Sequence, residues 1–521
     1  MSDDRPARRG DAAPTGVDLL PVSVAWGDRW YDPAVGLLWN PAGSFAPAVR
    51  DASVHLLPQS AWYAFGLLER GRPDDLERAT VVLDAVLSHQ YDRPGTPWHG
   101  TFSRVAEAPE PSAGAVEWVD YDPNWRQFIG TTLLVVLRHH ERTLDPVLVA
   151  RIDAALDLVV RGEPVGRVGA AYTNIAALKS VLEVEVGARH DDPALRAAGE
   201  QLASEVVARF ERNGGPDEYN SPTYYGIDLL GFALWRTTTS SPRLAAWGAS
   251  LEAGLWRELA LFFHADLGNL AGPFDRTYGM DMGRYLAAVG LWWWQHFGLA
   301  AAPLPDVTAD AIPHGHDLLA GPLVARLAGA VPRDAVEFLV GFEGVRQIER
   351  VLPGPPERVA TAWLEEDLAL GGMGGPGAGP GSGQCAPATV HWRLPGGAGV
   401  AGVGTIRFHC DDPTAARAVD AALTITTTPA GGDSGDETGG VGGGSPAEAS
   451  FLIDAPPGPD GAPLLEPSMV GPGRWDLPGL PLQVHTTGTL AGVAAFGTGL
   501  LVTFRAPAAG HRVVLRRVGG A

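Results

Sequence analysis

The chain has 521 residues and a formal net charge of −21, with 45 % hydrophobic and 19 % charged residues. A field this acidic excludes nucleic acid and anionic membrane surfaces as general partners, because both would be repelled. The apolar fraction suits a soluble globular protein, and the length is that of two domains or one large domain with a companion.

Residues 1–50 carry Arg5, Arg8 and Arg9 near the start, with no apolar run of signal-peptide length behind them, so a cytoplasmic protein is expected. Trp26, Trp30, Tyr31 and Trp39 follow without a sustained helical period, which reads as an irregular N-terminal arm. From 51 to 345 the pattern becomes a series of helices with short polar or Gly/Pro breaks. They are expected near 51–70, 75–91, 123–142, 146–161, 172–189, 192–212, 222–238, 242–264, 275–297, 316–329 and 332–342. Paired helices joined by short loops form hairpins, and a run of about five or six pairs closes into a toroid or bundle.

Beyond 345 the composition changes to Gly-dominated tracts at 371–384 and 429–447, which read as loops or linkers. Between and beyond them lie β-branched or alternating runs at 389–394, 399–408, 421–427, 481–487, 490–496, 498–505 and 511–518. The expected fold is α+β and multidomain: an N-terminal (α/α) toroid over 51–345, then a C-terminal antiparallel β-sheet domain, sandwich-like, over 346–521. Cys385 and Cys410 give neither a disulfide framework nor metal spacing, and buried free thiols are expected.

Four polar clusters sit at expected helix starts, at Asn124, Asn174, Tyr225 and Arg276, separated by 50, 51 and 51 residues. A period of one hairpin per fifty or so residues brings such starts to the same end of a domain. In the first cluster Asp122 suits a cap and Pro123 the first helical position, leaving Asn124, Trp125 and Arg126 as a sugar-stacking and binding group or, for Trp125, core. The second cluster offers Tyr172 and Asn174, the latter also explicable as a local backbone binder. In the third, Ser221 is the expected cap and Pro222 the expected first position, with Asn220, Tyr224 and Tyr225 around them. The fourth contains Arg276 and Tyr278, and a cation against the helix dipole implies a nearby anion, unless Arg276 simply pairs with Asp275 or Asp281. A loop Pro97-Trp98-His99-Gly100 supplies a further candidate pair in Trp98 and His99. His264 and His296, at the ends of apolar helices, suit partners for C-terminal dipoles. No HExxH, G-x-S-x-G, phosphate loop or Cys/His zinc spacing occurs, and neither a cofactor nor a metal is expected.

The progression Asn124-Trp125 followed by Ile-Gly-Thr, then Asn174, then Tyr225-Gly226, then Arg276 resembles the toroid polysaccharide lyases of the hyaluronate, chondroitin and xanthan lyase group. The wording Tyr219-Asn-Ser-Pro-Thr-Tyr-Tyr-Gly226 is also similar to rhamnose–glucuronate lyases acting on gum arabic. The resemblance implies β-elimination next to a uronic acid, with Tyr225 as base and then acid, Asn174 as carboxylate neutraliser and Arg276 lowering the tyrosine pKa. The group's histidine, which lies a little ahead of its tyrosine, has no counterpart between Gly214 and Tyr224, so Asn220 or His99 is left to fill that role. The implied partner is a uronic-acid-containing oligosaccharide or polysaccharide, and oligomeric state is left open. Two rivals stand beside this reading. One is an inverting glycoside hydrolase using Asp217, Glu218, Asp120 or Asp122, and the other is a carbohydrate-binding protein without chemistry.

Overall fold

The computed structural model describes residues 18–41, 53–352, 357–375, 384–396, 402–428, 448–458, 460–507 and 510–518. The chain divides into two compact units. The first comprises Met1–Glu218, Pro222–Arg257 and Arg284–Arg333, and the second Tyr219–Ser221, Glu258–Gly283 and Asp334–Ala521.

The first unit is helical: α1 (Leu19–Asp28), α2 (Leu57–Arg70), α3 (Asp75–Leu87), α4 (Trp125–His140), α5 (Pro146–Arg161), α6 (Thr173–Arg189), α7 (Pro193–Asn213), α8 (Tyr225–Thr238), α9 (Pro242–Phe262, its last turn in the second unit), α10 (Ala288–Phe297) and α11 (Gly321–Leu327). Local chemistry sets several boundaries. Asp145 accepts from the Val147 amide with Pro146 opening α5, and Asp192 accepts from the Ala194 and Leu195 amides with Pro193 opening α7. Gly71 and Gly214 stop α2 and α7 in the left-handed conformation, each amide returning to the last turn. The helix α1 lies within the stretch expected as an irregular arm, its apolar residues Leu19, Val24 and Trp26 buried against α2 and α11.

Burial separates two classes of helix. On α5 a single stripe is covered, Leu148, Ile152, Ala155, Leu156 and Val159, whereas α2, α4, α6 and α8 are buried on nearly all sides. The second class forms a continuous succession: α2 packs on α4, α4 on α6, α6 on α8, α8 on α10, α10 on α11, and α11 back on α2. The outer partners are α3 on α2, α5 on α4 and α7 on α6. Close approach relies on small residues. A Cβ on Gly226 of α8 would lie 2.5 Å from backbone atoms of Ala288 and Val289 at the start of α10, and one on Gly231 would lie 2.6 Å from the Ala177 Cβ on α6.

The helix expected over 275–297 forms only from Ala288. Ahead of it, the Phe274 amide donates to the Ala386 carbonyl at 3.0 Å and the Thr277 amide to the Gln384 carbonyl at 3.0 Å, so those donors serve strand-like pairing in the second unit. Likewise α8 starts three residues later than expected. Ser221 is not its cap, because its hydroxyl donates to the Arg276 carbonyl at 2.7 Å. His264 and His296 are both pushed down to about 4 by burial, so neither is a cation for a helix dipole at neutral pH.

Short strands β1 (Tyr31–Asp32), β2 (Leu37–Trp39) and β3 (His55–Leu56) lie in the first unit; the second holds β4 (Phe263–His264) and β5 (Asn269–Leu270) and is built chiefly as a β-sandwich. Its eight-stranded antiparallel sheet runs β16 (Thr489–Phe496), β17 (Gly499–Arg505), β13 (Glu448–Asp454), β10 (Val403–Cys410), β9 (Ala388–Arg393), β8 (Leu368–Gly374), β7 (Arg358–Glu365), β6 (Arg346–Leu352). The five-stranded sheet runs β11 (Thr414–Val419), β12 (Ala422–Thr427), β18 (His511–Arg517), β15 (Leu480–Thr486), β14 (Arg474–Leu477). Inward residues of both sheets share one core, in which Phe451 meets Trp475 edge-on with ring centroids 5.3 Å apart. Cys410 is buried on β10, Cys385 is half-buried, and both are free thiols. Most of the two Gly-rich tracts, 376–383 and 429–447, lies outside the described residues.

A methyl at Gly226 meets backbone rather than a movable side chain. Gly226→Ala is therefore expected to destabilise the helical unit by about 1–3 kcal/mol, read as a lowered thermal midpoint. An unchanged midpoint would show that α8 and α10 separate freely.

Candidate functional site

The starts of α4, α6 and α8, with the segment before α11, carry a connected set of polar groups in the first unit. At α4, Asp122 accepts from the Asn124 amide at 2.9 Å, and burial pushes its carboxyl above the usual range. The Asn124 side chain donates to the Tyr172 hydroxyl at 2.7 Å and accepts from Arg167 at 3.0 Å. Arg167 is paired with Glu163, which also accepts from Gln127 at 2.6 Å. These bonds fix the Asn124 amide on both sides and tie the start of α4 to the residue that precedes α6.

At α6, Asn174 is completely buried. Its side-chain amide donates to Glu218, whose same oxygen accepts from the Asn174 backbone amide at 3.3 Å. The Asn174 carbonyl oxygen has no hydrogen-bond partner among the described residues. In the first turn of α8, Asp228 is fully buried and neither of its oxygens is hydrogen-bonded among them. Burial first, and then the charge of Glu218, pushes its pKa well above the usual carboxylate value. Tyr172 is also raised, by burial and then by the charge of Glu218, with Tyr224 and Asp122 adding to it. Tyr225 itself is fully buried at the first position of α8.

The set continues through Arg104, whose charge acts on Asp122, His314 and Asp317 and whose guanidinium lies 5.5 Å from the Trp125 ring centroid. His314, His316 and Asp317 offer three ligand-type atoms within 4.8 Å of one another. The sequence reading passed over this trio, although His-Gly-His-Asp at 314–317 is a local signal for it. Trp118 was also passed over. It is 55 % exposed in the loop ahead of α4, where its neighbour Glu117 lies 4.0 Å from Arg167.

Several expected site residues have other work. Arg126 is completely buried and donates to the carbonyls of Pro97 at 2.7 Å and His99 at 2.6 Å, so it fastens a loop and is not a substrate arginine. Trp98 and Trp125, at 3 % and 9 % exposure, are core and not stacking platforms. His99 accepts from the Arg93 amide at 3.0 Å and lines a surface cavity of about 510 Å³ with residues of α3 and α5. Asn220 spends both amide hydrogens on the carbonyls of Ala271 at 2.7 Å and Pro273 at 2.9 Å, which leaves none for a substrate carboxylate. Asp217 is held by Arg209 through two 2.7 Å bonds, and the exposed Asp120 accepts from the Val116 amide. Arg276 and Tyr278 are half-buried in the non-helical segment of the second unit, where Asp275 pairs with Arg358 at 2.9 Å.

Residues 17–329 match a domain family described as a domain of unknown function, DUF8769. The chain belongs to this family. No curated protein sequence matches the DUF8769 chain. Among solved structures it is similar to heparinase III, at 8 % identity and a TM-score of 0.46, covering 100 % of this chain and 87 % of that one. It is also similar to the Streptomyces coelicolor A3 chondroitin AC lyase, at 13 % identity and a TM-score of 0.46, covering 98 % and 80 %. A second heparinase III aligns at 9 % identity and a TM-score of 0.29 over 98 % and 86 %. Among the described residues no helix is long and apolar enough to cross a membrane.

The state of Asp228 has a measurable consequence. Its folded pKa lies above the unfolded value near 3.8, so the folded chain holds the extra proton, and stability falls as pH rises from that value toward the folded pKa. Asp228→Asn keeps the shape without the ionisation. It is expected to flatten this part of the pH–stability profile and to raise the thermal midpoint at neutral pH, by about 2–4 °C for each kcal/mol recovered.

Proposed function

We propose that the DUF8769 chain is a lyase that cleaves a glycosidic bond next to a uronic acid by β-elimination, at the rim of an (α/α) toroid formed by the helical unit. One observation carries the reading. The starts of three successive inner helices supply Asn124, Asn174 and Tyr225: Asn124 hydrogen-bonds Tyr172, Asn174 hydrogen-bonds Glu218, and the Glu218 charge acts on Tyr172 and on Asp228 in the first turn of α8. Amide donors suit a carboxylate that must be neutralised before the proton at C5 becomes acidic enough to remove. A phenol suits the proton transfer itself.

In the proposed reaction the Tyr225 phenolate takes the C5 proton, the C4–C5 double bond forms, and the C4–O bond breaks with the phenol returning its proton to the leaving oxygen. Asn174 hydrogen-bonds the uronate carboxylate, and Glu218 positions its amide plane. Tyr172 does not serve as base, because burial and the Glu218 charge hold it as a neutral phenol. The tyrosine that acts as base needs a nearby cation to lower its pKa from about 10. Trp118 replaces Trp125 and Trp98 as the sugar-stacking residue, being the exposed tryptophan of the loop ahead of α4.

The test is the ultraviolet absorbance of the unsaturated uronate, followed during incubation with a panel of uronic-acid glycans. Absorbance is expected to rise on at least one substrate, and Tyr225→Phe to lower the rate by about 10²–10⁴-fold. Full activity in that variant would remove Tyr225 from the chemistry.

A hydrolase remains the second reading, on one observation: Asp122 is protonation-prone through burial, and its charge and that of Glu218 both act on Tyr172. An acid and a carboxylate are what inversion requires. New reducing ends without a rise in absorbance, lost in Asp122→Asn, would establish it.

A further inference from the structure

We propose that His314, His316 and Asp317 form a binding site for one first-row divalent cation, of the Zn²⁺ type. The three side chains present two imidazole nitrogens and a carboxylate oxygen whose mutual separations all fall within 4.8 Å. Ligands held at about 2.0–2.2 Å from a tetrahedral zinc ion lie roughly 3.3–3.6 Å apart, so side-chain rotations that move the ligand atoms by about an ångström close the set onto one ion. Imidazole together with carboxylate selects zinc and its first-row neighbours over calcium or magnesium, which prefer all-oxygen shells. Three protein ligands also leave a position for water or a substrate oxygen, the pattern of reactive rather than purely structural zinc sites.

The backbone is shaped to this convergence. His314 stands in the left-handed region at φ 56°, directly before the 3-10 turn Gly315–Ala320, a conformation that costs a non-glycine residue energy unless its surroundings hold it there. Gly315 between the two histidines has no room for a side chain, since a Cβ would lie 2.9 Å from Ile312 and 3.3 Å from Trp26. Both histidines are 6 % exposed, and their ring centroids are 5.7 Å apart, with Tyr285 6.0 Å from His314. His316 and the Asp317 carboxylate are 3.3 Å apart. Arg104 is the opposing group, since its charge reaches His314 and Asp317 and makes the site weaker than the ligand set alone would be.

The inference does not rest on the lyase reading, and its test contains no glycan. The full chain, treated with EDTA and dialysed, is titrated with ZnSO₄ by calorimetry, and Co²⁺ is titrated in parallel and followed by its visible absorption. One Zn²⁺ per chain is expected, with a Co²⁺ spectrum of low coordination number. Groups that only hydrogen-bond a zinc ligand are worth about 10–100-fold in affinity, so losing a ligand itself, in His316→Ala or Asp317→Asn, should weaken Zn²⁺ by at least about 100-fold. Asp317→Asn changes almost no volume, and its circular dichroism and thermal midpoint in EDTA serve as the folding control should His316→Ala fail to fold. Absence of saturable Zn²⁺ binding by the parent chain, or unchanged affinity in Asp317→Asn, overturns the site.

Discussion

The contact between the Asn174 amide and the Glu218 carboxylate governs the chemistry of the helical unit. It places a carboxylate among buried helix starts, where its field is weakly screened and reaches Tyr172 and Asp228. Both neighbours respond in the same sense, holding their protons more tightly than they would in water. Burial is the larger cause at both groups, and the Glu218 oxygen, which accepts from two amide donors, adds its charge in the same sense. Removing Glu218 would lessen both shifts and take away the partner of the Asn174 amide, so the effects of substitutions at these four groups are not additive.

Such a set needs a frame that does not relax around it. The inner helices supply one because they touch through residues without side-chain freedom: Gly226 against the backbone of α10, Gly231 against Ala177, and Trp292 donating its indole N–H to the Gly226 carbonyl at 3.0 Å. Gly226 follows Tyr225 directly, so the contact that fixes α8 against α10 also fixes the phenol proposed as base. The burial of Asp228 without a hydrogen bond among the described residues is a stability cost carried in the same turn of helix. Stability has been given up one turn from the proposed reacting group, where a rigid and dry surrounding strengthens electrostatic effects on a transition state.

What the sequence made legible follows from what sequence patterns physically encode. The helix α5 was readable to the residue because Asp145 and Pro146 act locally and its apolar stripe repeats every three or four positions. The helices α6 and α7 were nearly as clear, and so was the strand-rich character of the second half. Three kinds of information were not local. Whether Trp125 stacks on sugar or sits in the core depends on what covers it, and a buried tryptophan beside Arg104 has the same sequence neighbours as an exposed one. Arg126 and Asn220 looked available because their partners are backbone carbonyls, which leave no trace in residue identity. Strands β6, β7, β8, β11, β13 and β14 were missed, in part because several carry Gly, Ala or charged residues whose β-preference comes from sheet context rather than from the residue itself.

The fifty-residue spacing shows where a repeat ceases to be evidence of structure. From Asn124 to Asn174 to Tyr225 it follows the inner helices, since each hairpin consumes two helices and two short loops before the chain returns to the same end. Arg276 continues the number but not the geometry. The next inner helix begins at Ala288, 63 residues beyond Tyr225, because Glu258–Gly283 is diverted into the second unit and takes up hydrogen bonds with residues 384–386. Arithmetic alone could not detect the diversion, because a segment of loops and two-residue strands occupies the same length as a helix turn and its connection. The physical signature was present in the composition: Gly268, Gly272, Pro273, Gly279 and Gly283 interrupt the stretch at intervals too short for any helix to propagate. Periodicity locates a functional residue only where the intervening chain has the composition to build the element being counted.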